Sequence, residues 1–478
     1  MFAFSLPRSV SILVAAALAG CAVGPDYRQP HTDTAATFSQ AQVDADTTPY
    51  GNAEPIAAFW TIFNDSMLND LVAQALQINH ELRIASANLQ ASRALRRGAQ
   101  ADYLPALNAQ AAREKSRLSV DEIDPGTPRS TTLNTGSIDA FWELDLFGRV
   151  RRNNEAARAN EQAAREDLHA VQVSVAAEVA RNYMELRGTQ ELFAVAQRNA
   201  DNQQQTMRIL DARVEAGRGT EFDTERARAL LNTTRATLPV LAADIEALIN
   251  RLSVLLGQPP GVLAEMLRPV TDLPELPRLV NIGKPEDLLR RRPDIRAAER
   301  RLALATANIG VAQADWFPRV SFTGEIGFAA SSGDRIGDAN TATYRYGPGI
   351  TWAAFDFAHV RARVQRSRAD ADASLAGYEQ TVLRALEETE NALTRYSATR
   401  QQLDFLRAST TANTRAAELA YLRFENGSVD FLEVLDVERA RLATDASHSR
   451  ARIEAATGLI AVYKALGGSW IDTDSRAL

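Results

Sequence analysis

The chain has 478 residues, 45% hydrophobic and 24% charged, proportions of a folded protein rather than a disordered one. Its net charge of −7 gives no support for a nucleic-acid surface, and its basic charge is nearly all arginine, with lysine only at Lys115, Lys284 and Lys464. A single cysteine, Cys21, excludes an intrachain disulfide and a metal site built from cysteines.

Residues 1–20 have the layout of an export signal: Arg8, an apolar run Val10–Leu18 too short to span a bilayer, then small residues. The segment ends Leu18-Ala-Gly-Cys21, which resembles a bacterial lipobox. Such a motif implies that the Cys21 sulfur takes a diacylglycerol and that the new amino terminus takes an N-acyl chain. The alternative is an ordinary signal peptide whose cleavage site falls near a cysteine. By the habit of such lipoproteins, Ala22 in place of an aspartate points to the outer membrane. No later apolar run approaches the roughly 20 residues of a membrane-spanning helix, so a mature chain that crosses a membrane does so as strands.

Residues 31–55, rich in Thr, Ala, Asp and Pro, read as a linker or a wrapped arm. Phe59-Trp-Thr-Ile-Phe-Asn-Asp65 then leads into a helical pattern from about Ser66 to Ala101, with Leu68, Leu71, Val72, Ala75 and Leu76 on one buried stripe. Pro105 stops it, and the period changes to two. Leu107, Ala109 and Ala111 lead up, and Ile138, Ala140, Trp142 and Leu144 lead down, across Asp121–Arg129. The same pattern is clearer later. Val320, Phe322, Gly324, Ile326 and Phe328 alternate with polar residues, and Tyr344, Tyr346, Ile350 and Trp352 return. The prediction is therefore two hairpins, about 103–147 and 317–357, giving four strands. Tyr103, Trp142, Trp316, Phe317 and Trp352 near the strand ends suit an interfacial girdle. A soluble hairpin on a helical domain is the plainer alternative.

Each hairpin runs into a proline-free stretch, 149–215 and 358–425, rich in Ala, Arg, Glu, Gln and Leu. As helices these would be roughly 100 Å long, a length supported by coiled-coil or helical-barrel neighbours. They end at Gly217 and Gly427, where a left-handed C-cap is expected, and return helices follow at 221–256 and 431–466. Pro239 is expected to kink the first return helix. Residues 257–284 read as an irregular connector and 467–478 as a tail.

These landmarks repeat. Ala99-Gln-Ala-Asp-Tyr-Leu-Pro105 is matched by Ala312-Gln-Ala-Asp-Trp-Phe-Pro318, Trp142–Phe147 by Trp352–Phe357, and Arg213-Val-Glu-Ala-Gly217 by Arg423-Phe-Glu-Asn-Gly427. Three matches in one order at nearly one offset mark a tandem duplication: repeat one over 66–256 and repeat two over 285–466. The fold class is mixed α+β, with long helices and four strands.

Together with Cys21-Ala-Val-Gly-Pro-Asp-Tyr27, the Phe59–Asp65 motif, Arg290-Arg-Arg-Pro-Asp-Ile-Arg296 and Phe431-Leu-Glu-Val-Leu-Asp436, this plan resembles the outer-membrane factor family of tripartite efflux pumps. The likeness is to the TolC/OprM type, and closest to its NodT-like lipoprotein branch. The resemblance covers almost the whole mature chain. It implies a homotrimer in the outer membrane, four strands per copy in one 12-stranded barrel, and a periplasmic helical tunnel. It further implies a passive exit duct for small molecules, with an inner-membrane pump and a periplasmic adaptor as partners and outer-membrane lipid around it. Adaptor contact falls at the tips, on Arg213, Glu215, Gly217, Thr220, Arg423, Glu425, Gly427, Ser428 and Val429. Leu432 and Asp436 match the positions that narrow the aperture, with Phe222 and Arg226 as first-repeat equivalents. Arg226 could hold the tip closed by pairing with an acid. Leu432 as core and Asp436 as a solvated helix face remain the plainer alternative. A duct for type I protein secretion, and a non-pore periplasmic coiled-coil scaffold, are the competing functions.

Nothing points to catalysis. His31, His80, His169, His359 and His448 have no metal-ligand spacing, and there is no phosphate loop or nucleophile elbow. No cofactor is expected apart from the covalent lipid.

Overall fold

The computed structural model describes residues 22–39, 50–51, 53–56, 58–124, 126 and 128–468. The export signal, Cys21 and the tail from residue 469 lie outside the described residues. In chain order the elements are β1 (Tyr50–Gly51), α1 (Ser66–Ile78), α2 (His80–Ala101), β2 (Ala106–Arg117), β3 (Ser130–Leu144) and α3 (Arg149–Glu215). There follow α4 (Glu221–Leu255), α5 (Ala264–Leu267), β4 (Val280–Asn281), α6 (Pro285–Arg291) and α7 (Pro293–Ala314). Last come β5 (Arg319–Ala330), β6 (Ala342–Thr351), α8 (Phe357–Glu425) and α9 (Phe431–Ala465). Two compact units cut across the sequence repeats. One comprises the chain up to His31, Asn88–Arg165 and Ala297–Glu379; the other comprises Thr32–Ala87, Glu166–Arg296 and Gln380 onward.

The first unit holds a four-stranded antiparallel sheet in the order β2-β3-β5-β6. Because residues opposite each other share a face, its register sorts the side chains into rows. One face carries Leu144–Val320–Ile350, Trp142–Phe322–Pro348, Leu107–Ala140–Gly324–Tyr346, Ala109–Ile138–Ile326–Tyr344 and Ala111–Gly136–Phe328–Ala342. The other face is mostly polar and includes the row Asn108–Asp139–Glu325–Arg345, in which Arg345 pairs with Glu325 at 2.7 Å. The apolar face is uncovered: Tyr344 is 78% exposed, Leu107 69% and Ile326 66%. The duplication is visible in a shared bond. Trp142 Nε1 donates to the Tyr103 carbonyl at 3.0 Å, and Trp352 Nε1 donates to the Trp316 carbonyl at 3.1 Å.

In the same unit the segment after Cys21 is docked. Val23 N donates to the Phe147 carbonyl at 3.1 Å. The buried Arg152 guanidinium donates to the carbonyls of Val23 and Gly24 and to Asp26, at 3.1, 3.2 and 2.8 Å. Gly24 takes φ +100° where a Cβ would meet the Gly310 backbone, so glycine is needed there twice over. The Tyr27 hydroxyl donates to Glu299.

The second unit holds the main core. Phe59, Trp60 and Phe63 are buried with Leu68, Leu71 and Val72, and Phe59 stacks on Tyr463 at 5.7 Å. Asp65 caps α1 by accepting from Leu68 N at 3.0 Å, and its other oxygen accepts from the Tyr183 hydroxyl at 2.7 Å. That accounts for the aromatic-rich motif before α1. Arg292 of the Arg-Arg-Arg-Pro-Asp motif donates to the Ala465 carbonyl and pairs with Asp294 and Glu388, tying the end of α9 to the start of α7. Of residues 31–55, those described fit the wrapped-arm reading, since Phe38 is buried and β1 pairs in parallel with β4, while 40–49 and 52 lie outside the described residues. The connector is accordingly not wholly irregular, and it contains α5 as well.

The expected single helix from 66 to 101 is broken at Asn79, whose ψ of 135° is not helical. The Asn79 side chain makes the break stable: Oδ1 accepts from Glu81 N and Leu82 N at 2.8 and 3.2 Å, and Nδ2 donates to the Leu255 carbonyl at 2.8 Å. It thus caps α2 and satisfies the end of α4. Asn79→Ala removes all three bonds at a buried site and is expected to cost about 1–2 kcal/mol locally. Hydrogen exchange at the Glu81 and Leu82 amides should then be roughly 5–30 times faster; unchanged exchange would show that water replaces the cap.

Candidate functional site

The candidate site lies in the second unit, where α3 turns into α4 and α8 into α9. Both turns close the same way. The chain reverses at Gly217 and Gly427, with φ of +66° and +67°, in the left-handed region that disfavours a Cβ. Arg218 N bonds the Arg213 carbonyl at 2.8 Å and Gly217 N bonds the Val214 carbonyl at 2.9 Å. Ser428 N and Gly427 N make the equivalent bonds to Arg423 and Phe424, at 2.9 and 3.0 Å. This is the paired 6→1 and 5→2 pattern of a Schellman end. Each return helix is then capped: Thr220 Oγ1 accepts from Asp223 N and Asp430 Oδ1 from Glu433 N, both at 3.2 Å.

Beneath the turns is a small core of Leu210, Ala227, Ala420, Phe431, Val434 and Leu435, which joins side chains of both hairpins. The Arg213 guanidinium lies over the Phe424 ring at 4.4 Å, and Phe424 packs on Phe431 at 5.4 Å. Arg423 pairs with Glu433 at 2.8 Å across its own turn. The predicted tip residues therefore fall into two groups. Arg213 and Arg423 are engaged internally and Val429 is half-buried, while Glu215, Gly217, Thr220, Glu425, Gly427 and Ser428 are exposed. Asp430, Glu433, Phe424 and Phe431 were missed as site residues. Asp430 could have been found as the repeat equivalent of Thr220.

The aperture candidates are all placed on the return helices. Leu432 is 38% exposed and Asp436 stands on the same face of α9 one turn later, also exposed. Asp436 has only a long contact to Arg439, 3.9 Å, between two exposed side chains. Such an exposed pair is weak. On α4 Phe222 is 66% exposed, and the Arg226 guanidinium lies over its ring at 5.4 Å. The acid expected opposite Arg226 is not found among the described residues. Leu432 and Phe222 are therefore not core, while the exposed Asp436 is what the solvated-face alternative also expects.

Further along α9, Arg441 bonds Glu438 at 2.9 Å and Asn199 of α3 at 3.4 Å, with Asp445 at 3.6 Å. Burial pushes the Asp445 carboxyl up from its ordinary range. Burial, with Arg452 and Arg407, pushes the His448 imidazole down, so His448 is neutral at neutral pH. Among the described residues no group of three or more His, Cys, Asp or Glu could hold a metal, and no helix is long and apolar enough to cross a membrane.

This geometry has close counterparts among known proteins. The family model described as outer membrane efflux protein matches twice, at residues 71–258 and 285–468, one match over each repeat. The solvent efflux pump outer membrane protein SrpC of Pseudomonas putida is 30% identical over 474 residues, 97% of this chain and 98% of that one. Nodulation protein T of Rhizobium leguminosarum bv. trifolii is 30% identical over 434 residues, 91% of each chain. Among solved structures, the outer-membrane channel OprN aligns with a TM-score of 0.85 at 42% identity, covering 94% of this chain and 100% of that one. The open-state MtrE outer membrane channel of Neisseria gonorrhoeae aligns with a TM-score of 0.80 at 28% identity, covering 94% and 98%. The chain belongs to the outer membrane efflux protein family and is the outer-membrane channel of an efflux system.

Proposed function

We propose that three copies of this chain form one passive exit duct, with each copy giving its four strands to a 12-stranded barrel and its long helices to a periplasmic tunnel. The observation that carries this reading is the uncovered apolar face of a sheet whose outer strands, β2 and β6, have open edges. Four strands are too few to close, and open edges in lipid would strand backbone groups without partners. The same face speaks against a soluble scaffold. The duct itself does no chemistry; an inner-membrane pump supplies the energy and a periplasmic adaptor docks on the exposed tip residues. Similarity to efflux-pump relatives favours small molecules over secreted proteins as cargo.

In this reading Leu432 and Asp436 of three copies make adjacent rings, a hydrophobic constriction and a carboxylate ring that attracts cations and disfavours anions. The first hairpin presents an aromatic ring with a cation over it instead, so the two kinds of hairpin face the aperture differently. Lipidation of Cys21 fits the docked strap. Ala22 packs against Gly148, which follows the strand end at Leu144.

Two experiments test the finer parts. Asp436→Ala should raise basal conductance in planar bilayers and antibiotic leakage in cells; wild-type leak in a mutant that is still trimeric would remove Asp436 from the gate. Cys21→Ser should abolish incorporation of radiolabelled palmitate, and label persisting in that mutant would refute acylation at Cys21.

A further inference from the structure

The apolar face of β2 changes character abruptly. Leu107, Ala109 and Ala111 are followed on that face by Arg113, Lys115 and Arg117, opposite Asn134, Thr132 and Ser130 of β3. All three cations are exposed, and none is ion-paired with a described residue. The nearest acid in sequence after them to be engaged, Glu122, accepts from Ser119 N at 3.0 Å instead. Alternate residues on a strand stand roughly 7 Å apart, so three like charges lie within about 14 Å, a repulsive arrangement unless anions share it.

Their height along the sheet identifies the anion. The five apolar rows span nine residues of β5, Val320 to Phe328, or about 27 Å of strand. With the usual barrel tilt that is roughly 20 Å, close to the height of a lipid-facing band, so the next residues out stand at the headgroups. β2 leaves α2 at the other end of the band, so this is the end away from the helices. We propose that Arg113, Lys115 and Arg117 bind the phosphates of anionic lipid headgroups in the outer leaflet. The inference rests on the barrel reading, because only then does this face meet lipid. A basic residue at a membrane surface strengthens binding to anionic lipid about fivefold, so three should give roughly a hundredfold.

The test uses the full-length detergent-extracted channel, with diphosphorylated lipid A as probe and its dephosphorylated form as control. Wild type should prefer the phosphorylated lipid at least tenfold. The triple variant R113Q/K115Q/R117Q should lose that preference, while R113K/R117K keeps it and Arg335→Gln in the other hairpin loop leaves it unchanged. Equal binding by the triple variant, no discrimination by wild type, or displacement of the lipid by millimolar inorganic phosphate would each overturn the assignment. A spin label at Ile326 separates the two ideas. A lipid-exposed label together with unchanged binding by the triple variant would discard the headgroup site and leave the barrel standing.

Discussion

Backbone hydrogen bonding in a medium without water is the constraint from which the rest of the molecule follows. Among the described residues, the four-stranded sheet pairs its interior strands on both sides along most of their length and leaves the edges of β2 and β6 open. Its exposed face is apolar in five successive rows, so lipid is its natural contact. In lipid an open edge is far more costly than in water, and only closure removes it. Pairing with further copies is the response that this sheet permits.

The second consequence concerns the helices. α3 and α8, of 67 and 69 residues, are too long to be supported by a single compact core. The main core gathers instead around the aromatic motif at Phe59–Phe63, and a smaller one sits beneath the turns at Gly217 and Gly427. The turns are firmly closed by paired Schellman bonds and caps, yet the aperture candidates beside them have few partners. In the proposed duct, closed turns bearing lightly tethered side chains suit a tip that docks a partner and a ring that widens.

Much of this was legible because the responsible signals are local. Val320–Phe328 alternates cleanly, the absence of proline marks α3 and α8, and glycine marks both turns. The first hairpin was fainter because Ala106, Ala109, Ala111 and Ala112 carry little contrast, and because its outward face turns basic at Arg113. What escaped notice depends on distant partners. The break at Asn79 is made by the Leu255 carbonyl, 176 residues away, and β1 pairs with β4 across more than two hundred residues. No local pattern announces either. At the tips the turn residues were found from their repetition, but Phe424 and Phe431 were not assigned roles and the contact between Arg226 and the Phe222 ring was not foreseen, since an aromatic contact has no spacing rule of its own.

The most direct test of the central claim is the native mass of the detergent-extracted mature protein. A mass three times that of the processed chain is the result expected here, because three sets of four strands close one barrel. A stable monomer in detergent, with its sheet edges unpaired, would contradict the shared barrel and with it the duct.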